Sequence, residues 1–204
     1  MLRILSVLLL SFVAGVLLAH AGIDWPLRPG LIGAGAMLAS AWAARRYWQR
    51  LGPDDGLASP ERVLWHGLVS YGLLAGHLAM FMWRLGPTLD LHGLSAHALA
   101  IDSWTLVLGA IASYWIARDP EPRHDERDAM IRTHGSRAGH TALWLMLAAL
   151  ILALGFGART EVADFNQPML AHVLILIVML DCLVQCTVRL RLYWREAQAA
   201  RGAP

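Results

Sequence analysis

Apolar residues fall into six long runs separated by short polar segments. Each run approaches the length of about 20 helical residues that crosses the hydrocarbon core of a bilayer. Because the connections are short, we expect neighbouring helices to pack as antiparallel hairpins within one domain, 1–204. The pattern predicts an all-α, polytopic transmembrane bundle of about six helices, at residues 4–23, 31–48, 63–83, 99–117, 141–157 and 169–190.

The first apolar run also fits a second interpretation. Met1-Leu2-Arg3, the apolar stretch and Ala19-His20-Ala21 match a cleavable signal peptide. Cleavage would leave five helices and would not change the orientation of the rest. We expect a retained helix, and cleavage is the alternative.

The distribution of arginine indicates the orientation. The chain has no lysine, so all 17 basic residues are arginine. If the N-terminus is inside, only Arg28, Arg84 and Arg159 fall outside. The positive-inside rule therefore predicts that both termini lie in the cytoplasm and that the protein spans the inner membrane of a bacterium.

Composition narrows the class of protein. With 57% hydrophobic and 16% charged residues, the chain is more apolar than an ordinary soluble domain. The net charge of +2 gives no indication of a nucleic-acid partner. The first partner that we expect is therefore the lipid bilayer.

Small residues recur every four positions on three of the predicted helices. This spacing lets two backbones approach closely where lipid removes the hydrophobic drive for association. Homo-oligomerisation through one of these faces is the alternative to packing within one chain. We predict helix contacts at Gly35, Ala39 and Ala43, at Gly72 and Gly76, and at Gly109 and Ser113.

Four polar side chains form a narrow stripe on the third helix. His66, Ser70, His77 and Arg84 fall on one face at 100° per residue. Such a face points into the bundle, where it lines a cavity, a hydrogen-bond network or a ligand. Alternatively, His66 and Arg84 reach the two interfaces and His77 is a core histidine with satisfied nitrogens.

The sixth helix carries Asp181 near its middle, with Gln185 one turn later and His172 on the opposite face. A carboxylate at mid-bilayer costs roughly 2.5–3.5 kcal/mol on insertion scales. Asp181 is therefore a candidate for proton relay or for a neutral structural hydrogen bond. We expect Asp102 at the outer interface, near the N-terminus of the fourth helix, where the helix dipole favours an acid.

Histidines on different helices raise the alternative of haem b. The pairs at similar depth are His66 with His140, and His77 with His172 or His97. Six helices with two stacked haems would resemble the cytochrome b561 architecture. His66 and His77 lie only about 16 Å apart along the helix axis, which is tight for two haems. We therefore predict no cofactor and keep haem b as an alternative.

The motifs that mark the best-defined enzyme classes are missing from the sequence. It contains no CxxC pair, HExxH, phosphate-binding glycine loop or GxSxG elbow. Cys182 and Cys186 lie four apart in one apolar run, where a helix does not offer disulfide geometry, so we interpret them as reduced packing residues. We predict neither catalytic residues nor a metal site.

The longest inside segment, 118–137, is predicted to be a charged cytoplasmic loop. Its acids followed by arginines can begin an amphipathic helix that leads into the fifth transmembrane helix. The alternating charges suit docking of a protein partner, or ion pairs with neighbouring segments. The candidate partner-binding residues are Asp125, Glu126, Arg127, Asp128 and Arg132.

This loop resembles a known motif. Asp125-Glu126-Arg127-Asp128, followed by Ile131, Gly135, Arg137 and Gly139 before an apolar helix, is similar to the D-E-R-D motif of a family of small uncharacterised prokaryotic integral-membrane proteins. That family brings no catalytic residues to this chain. Its members often occur beside small helix-turn-helix regulators, which implies a membrane-bound partner or sensor role.

Together these patterns predict a non-enzymatic inner-membrane bundle. Its arginine-rich inner face, chiefly the charged loop, is expected to bind or regulate a cytosolic or membrane protein. One alternative is a small proton-coupled transporter or permease whose path is lined by Asp181, His77 and Arg84. The other alternative is a haem-binding redox protein.

Overall fold

The structure is a computed structural model that describes residues 1–21, 28–50, 59–88, 93–119, 126–156 and 164–202. Within these ranges the fold is all-helical, as predicted. The helices are α1 (Leu2–Ala21), α2 (Pro29–Arg50), α3 (Ser59–Leu85), α4 (Leu94–Ala117), α5 (Glu126–Phe156) and α6 (Gln167–Gly202).

Five helices, all except α2, are long and apolar enough to cross a membrane. Their outer faces carry large apolar side chains. On α5, for example, Trp144, Leu145, Ile151 and Phe156 are all exposed. Contiguous apolar surface of this extent marks contact with lipid or with another apolar partner. The chain is therefore a multi-pass membrane protein.

Helix α2 is less apolar, yet it extends over the same length of the bundle as α4. Its 22 residues measure about 33 Å at 1.5 Å per residue. At its start Gly30 packs on Asp102, and near its end Arg45 Nη1 donates a hydrogen bond to the Ile116 carbonyl at 3.3 Å. The two helices therefore run parallel, side by side, from one end of the bundle to the other.

Helices α1, α3 and α5 run in one direction and α2, α4 and α6 in the other. The starts of the first three and the ends of the last three form one end of the bundle, which we call the arginine-rich end. Leaving aside Arg201 near the C-terminus, only two arginines of the described segments, Arg28 and Arg84, lie at the opposite end. The arginine-rich end contains Arg3, Arg45, Arg46, Arg50, Arg62, Arg118, Arg127, Arg132, Arg137, Arg189, Arg191 and Arg195.

Helix α3 is central and contacts α1, α4 and α6. The pairs α3–α4 and α5–α6 are the antiparallel neighbours that short connections predict. The main contacts of α1 and α2, in contrast, are with α3 and α4, the parallel helices two further along the chain. In the first half of the bundle the closest neighbours are therefore not consecutive helices. The helix faces that allow close approach pair α1 with α3 and α2 with α4.

Glycines form the contact between α1 and α3. A Cβ atom at Gly76 would overlap the Phe12 carbonyl, and one at Gly15 would overlap the Leu73 carbonyl. A Cβ at Gly72 would likewise collide with α1. The backbones come this close because Gly15 of α1 and Gly76 of α3 present no side chain where each meets the backbone of the other helix. The predicted contact at Gly72 and Gly76 is confirmed.

Helix α1 is built into the bundle along its whole length. Ile4 near its start and Ala19 near its end are both buried. Arg84 Nη1 donates hydrogen bonds to the Ala19 and His20 carbonyls, at 2.9 and 3.5 Å, and so satisfies the C-terminal end of α1. This packing favours the interpretation of the first apolar run as a retained helix.

The predicted contact face of α2 is wrong. Gly35, Ala39 and Ala43 are exposed, and no atom outside the helix lies within 4 Å of a Cβ placed at Gly35. Both faces of α2 are rich in small residues, so spacing alone does not distinguish them. The buried face consists of Pro29, Gly30, Gly33, Ala34, Met37 and Ala41, and Gly109 of α4 packs on Ala34 as a small-residue contact.

Two helices are longer than their apolar runs. Helix α5 begins at Glu126, so residues 126–137 of the segment predicted as a loop are helical, as its charge pattern allows. Helix α6 continues past residue 190 to Gly202. The added turns are polar and contact each other, and their Ile131 and Tyr193 also pack in one buried cluster with Ile4 of α1 and Leu64 of α3.

Asp102 lies further from the start of α4 than the sequence predicted. Because α4 begins at Leu94, Asp102 is two turns inside the helix, and it is buried against α2. Its carboxylate accepts a hydrogen bond from the backbone N–H of Gly30, at the start of α2. The acid therefore caps the N-terminus of a neighbouring helix instead of its own.

A prediction follows for the contact between α1 and α3. We expect Gly76→Ala to lower the free energy of unfolding by roughly 1–3 kcal/mol, because the new methyl group must displace the backbone of α1. The matched control Gly35→Ala, on an exposed face, is expected to be neutral or to stabilise by up to about 1 kcal/mol. Unfolding of the purified protein in mixed detergent micelles measures both. Equal effects of the two substitutions would contradict the close approach.

Candidate functional site

His66 and Ser70 face α4, where they form a small polar cluster with Ser113. Ser113 is fully buried and donates its hydroxyl hydrogen to the Ala110 carbonyl at 2.9 Å. His66 Nε2 lies 3.0 Å from Ser113 Oγ and 3.3 Å from Ser70 Oγ. Because the Ser113 hydrogen is engaged, we infer that His66 carries its proton on Nε2 and donates it to Ser113. His66 and Ser70 also line a cavity, as predicted for the stripe.

His77 occupies the core of the bundle. Its side chain is fully buried, and among the described residues neither ring nitrogen has a hydrogen-bond partner. Its backbone lies at the close approach of Gly15 of α1. The interpretation of His77 as a histidine with satisfied nitrogens therefore does not hold for the described residues. His77 also lies apart from the hydrogen bonds of the His66 cluster.

Two further polar candidates, Arg84 and His172, have partners on neighbouring helices. Arg84 binds the carbonyls at the end of α1, as described above. His172 stacks on Phe81 of α3 with ring centroids 5.1 Å apart, and its Nδ1–H donates to the Pro168 carbonyl at 2.8 Å. Both side chains thus join neighbouring helices.

Asp181 and Gln185 face α5. Gln185 Nε2 donates a hydrogen bond to Asp181 Oδ2 at 3.0 Å, while the buried Asp181 Oδ1 has no partner among the described residues. The pair lies over Gly139, where a Cβ would collide with both side chains. Gly139 therefore provides the space that places this polar pair between α5 and α6.

The transporter hypothesis required Asp181, His77 and Arg84 to line one path. Asp181 lies at the α5–α6 contact, His77 in the core beside α1, and Arg84 at the end of α1. The structure does not bring these three groups together. Transport stays a prediction, without support from these contacts.

The haem hypothesis required histidine pairs. His66 is engaged with Ser113 of α4, whereas His140 is exposed on α5 and its Nδ1–H donates to the Ser136 carbonyl at 2.7 Å. His97 is exposed on α4. These contacts do not support two stacked haems, and haem b stays an alternative.

Metal-ligating side chains do not converge in the described segments. No group of three or more histidine, cysteine, aspartate or glutamate side chains there is arranged to hold a metal ion. Cys182 and Cys186 are both free thiols, and Cys186 is buried in the apolar core of the bundle.

Helices α5 and α6 are longer than the hydrocarbon core of a bilayer and carry polar turns at the arginine-rich end. Their lengths are about 46 and 54 Å at 1.5 Å per residue, against a hydrocarbon core of about 30 Å. The polar parts are residues 126–140 and 189–202, which meet as antiparallel helices where Arg127 contacts Glu196, Asp128 contacts Tyr193 and Gly135 contacts Arg189. We call this pair of segments the projection.

Side chains of both helices brace the projection. Arg127 forms an ion pair with Glu196, and its guanidinium lies 5.5 Å from the centre of the Tyr193 ring. The Tyr193 hydroxyl donates a hydrogen bond to Asp128 Oδ1 at 2.5 Å. Tyr193 is only 3% exposed and Ile131 packs in the same buried cluster, so an apolar layer underlies these polar contacts.

The predicted partner-binding residues thus divide into groups. Asp125 lies outside the described residues. Arg127 and Asp128 contact α6, which is the ion-pairing alternative that the charge pattern left open. Glu126 and Arg132 are exposed. The contacts of Tyr193 and Glu196 with α5 were not predicted from the sequence. The pattern that indicates them is a spacing of three residues on the polar part of α6, because this spacing places both side chains on one helix face.

Comparison of the chain with protein-family models, with curated proteins and with solved structures finds no match. The resemblance to the D-E-R-D family therefore stays a prediction.

The bracing of the projection generates a prediction. Tyr193→Phe removes the hydrogen bond to Asp128 and is expected to cost roughly 1 kcal/mol. The equilibrium constant for local opening of the projection then rises about five-fold. Hydrogen–deuterium exchange at residues 126–132 measures this change. The exposed Tyr47→Phe is the control, and unchanged exchange in Tyr193→Phe would contradict the bracing role.

Proposed function

We propose that the chain is a non-enzymatic protein of the bacterial inner membrane that binds a partner protein through the projection. The observation that carries this proposal is the braced pair of polar helix segments that continues past the apolar parts of α5 and α6 and presents charged side chains. A surface that is already ordered loses little conformational entropy when a partner binds. The projection has this property because α6 holds α5 in place.

The exposed charges of the projection supply its specificity. Glu126 and Arg132 of α5, and Arg191 and Arg195 of α6, are exposed. Arg127 and Glu196 neutralise each other within the pair of helices. The exposed set is therefore mainly positive, which suits a partner that presents acidic side chains.

The arginine-rich end supports a cytoplasmic location for the projection. The positive-inside rule places the arginine-rich ends of short connections in the cytoplasm. The partner is then a cytosolic protein or the cytoplasmic part of a membrane protein. The resemblance of the D-E-R-D segment to proteins found beside small regulators supports the same conclusion.

Crosslinking in cells tests the proposal. Ala129 is exposed on the projection and is replaced by a photo-crosslinking amino acid. In the chain that is otherwise wild type, we expect this residue to form one discrete crosslinked adduct with the partner protein. Arg132→Gln with Arg191→Gln should reduce that adduct at least ten-fold, because both exposed charges that meet the partner are lost.

The control changes the same charge at the same end of the bundle. Arg46→Gln with Arg50→Gln, both exposed on α2, should leave the adduct unchanged. Adducts of equal yield in all three backgrounds, or no protein adduct at all, would contradict partner binding through the projection.

A further inference from the structure

Two cavities lie side by side between α3, α4 and α6. One has a volume of about 430 Å³ and opens at the arginine-rich end, and the other, of about 310 Å³, lies deeper in the bundle. Gly67, Tyr71 and Tyr114 line both, so the two cavities are adjacent. We call the two adjacent cavities together the lateral groove.

The deep part of the lateral groove is apolar and faces the membrane. Leu74, Val107 and Met179 line its inner wall. On its outer side Ile111 and Tyr114 are 51% and 43% exposed, and both lie within the part of α4 that is long and apolar enough to cross a membrane. A hydrocarbon chain therefore has direct sideways access to the groove.

The length of the lateral groove matches one leaflet. Pro60 lines its mouth and Leu74 its deep end, and these residues lie about 21 Å apart along α3 at 1.5 Å per residue. Half of a hydrocarbon core is about 15 Å, and the headgroup layer adds several Å. The groove thus extends from headgroup level to the middle of the bilayer.

The mouth of the lateral groove is basic. Arg118, Asp119 and Arg189 line it, and an adjoining cavity of about 260 Å³ shares Arg118 and Asp119 and adds Arg45 and Arg62. Four guanidinium groups thus surround one carboxylate. The balance of charge at the mouth favours an anion.

Arg189 supplies an independent indication of a ligand. Its Nε is buried and has no hydrogen-bond partner among the described residues. The aliphatic part of its side chain lies flat against Gly135 of α5, where a Cβ would collide with it. A buried donor of a charged group without a partner is costly, so a bound acceptor would stabilise this arrangement.

We propose that the lateral groove binds an anionic phospholipid from the leaflet at the arginine-rich end. The phosphate lies between Arg118 and Arg189, and one acyl chain occupies the apolar part of the groove. Basic pockets between transmembrane helices bind anionic headgroups by this combination of charge and burial. The deep apolar part, open to the membrane, favours a lipid over a soluble anion. This proposal does not depend on partner binding by the projection.

Native mass spectrometry of the full chain in detergent tests the proposal. Phosphatidylglycerol is expected to bind at least ten-fold more tightly than phosphatidylcholine. Arg118→Gln with Arg189→Gln should abolish this preference. Ala110→Phe, which fills the deep part of the groove, should weaken phosphatidylglycerol binding while both arginines remain.

Two controls accompany this test. A variant with the same loss of charge elsewhere measures the effect of charge alone, and competition by inorganic phosphate distinguishes a lipid headgroup from a free anion. Arg46→Gln with Arg50→Gln, exposed at the same end, should bind phosphatidylglycerol as the wild type does. If the double variant at the groove does not fold, Arg118→Gln alone, on an exposed residue, is expected to reduce the preference at least three-fold. Equal binding of the two lipids, equal loss in the control variant, or full competition by inorganic phosphate would overturn the proposal.

Discussion

A polar group inside a hydrocarbon layer has no water to bind, so the protein itself must supply its partner. This constraint accounts for the contacts that hold the bundle together. Arg84 binds two of the last carbonyls of α1, and the carboxyl group of Asp102 lies at the backbone N–H of Gly30 in α2. His66 pairs with Ser113 between α3 and α4. Each of these contacts joins two helices, so satisfying the polar groups also fixes which helices are neighbours.

The helical class and the end that carries the arginines could be predicted from the sequence, because hydrophobicity over 20 residues and the position of charges are local properties. The choice of neighbours could not. Gly35 and Ala34 are both small, yet only Ala34 packs on Gly109, and this depends on how α4 is rotated. The polar turns of α5 and α6 were also hard to predict, since the contacts that stabilise them, Arg127 with Glu196 and Asp128 with Tyr193, join residues that are 69 and 65 positions apart in sequence.

The two proposed sites lie at the same end of the molecule and share α6. Arg189 lines the mouth of the lateral groove, while its side chain packs on Gly135 at the base of the projection. Tyr193, one turn further along α6, braces the projection through Asp128. The proposed lipid site and the proposed partner site would therefore both act on α6, with the lipid at the level of the headgroups and the partner beyond them.

The central proposal is that all six helices cross the membrane and that the arginine-rich end lies in the cytoplasm. Helix α2 is the decisive element because it is the least apolar. Single cysteines at Arg28 and Arg50, in a background with both native cysteines replaced by serine, test it by labelling with a membrane-impermeant maleimide. Labelling of Arg28→Cys in intact cells, and of Arg50→Cys only in inverted vesicles, is the result that we predict. Labelling of both positions from the same side, or in the opposite order, would contradict the account.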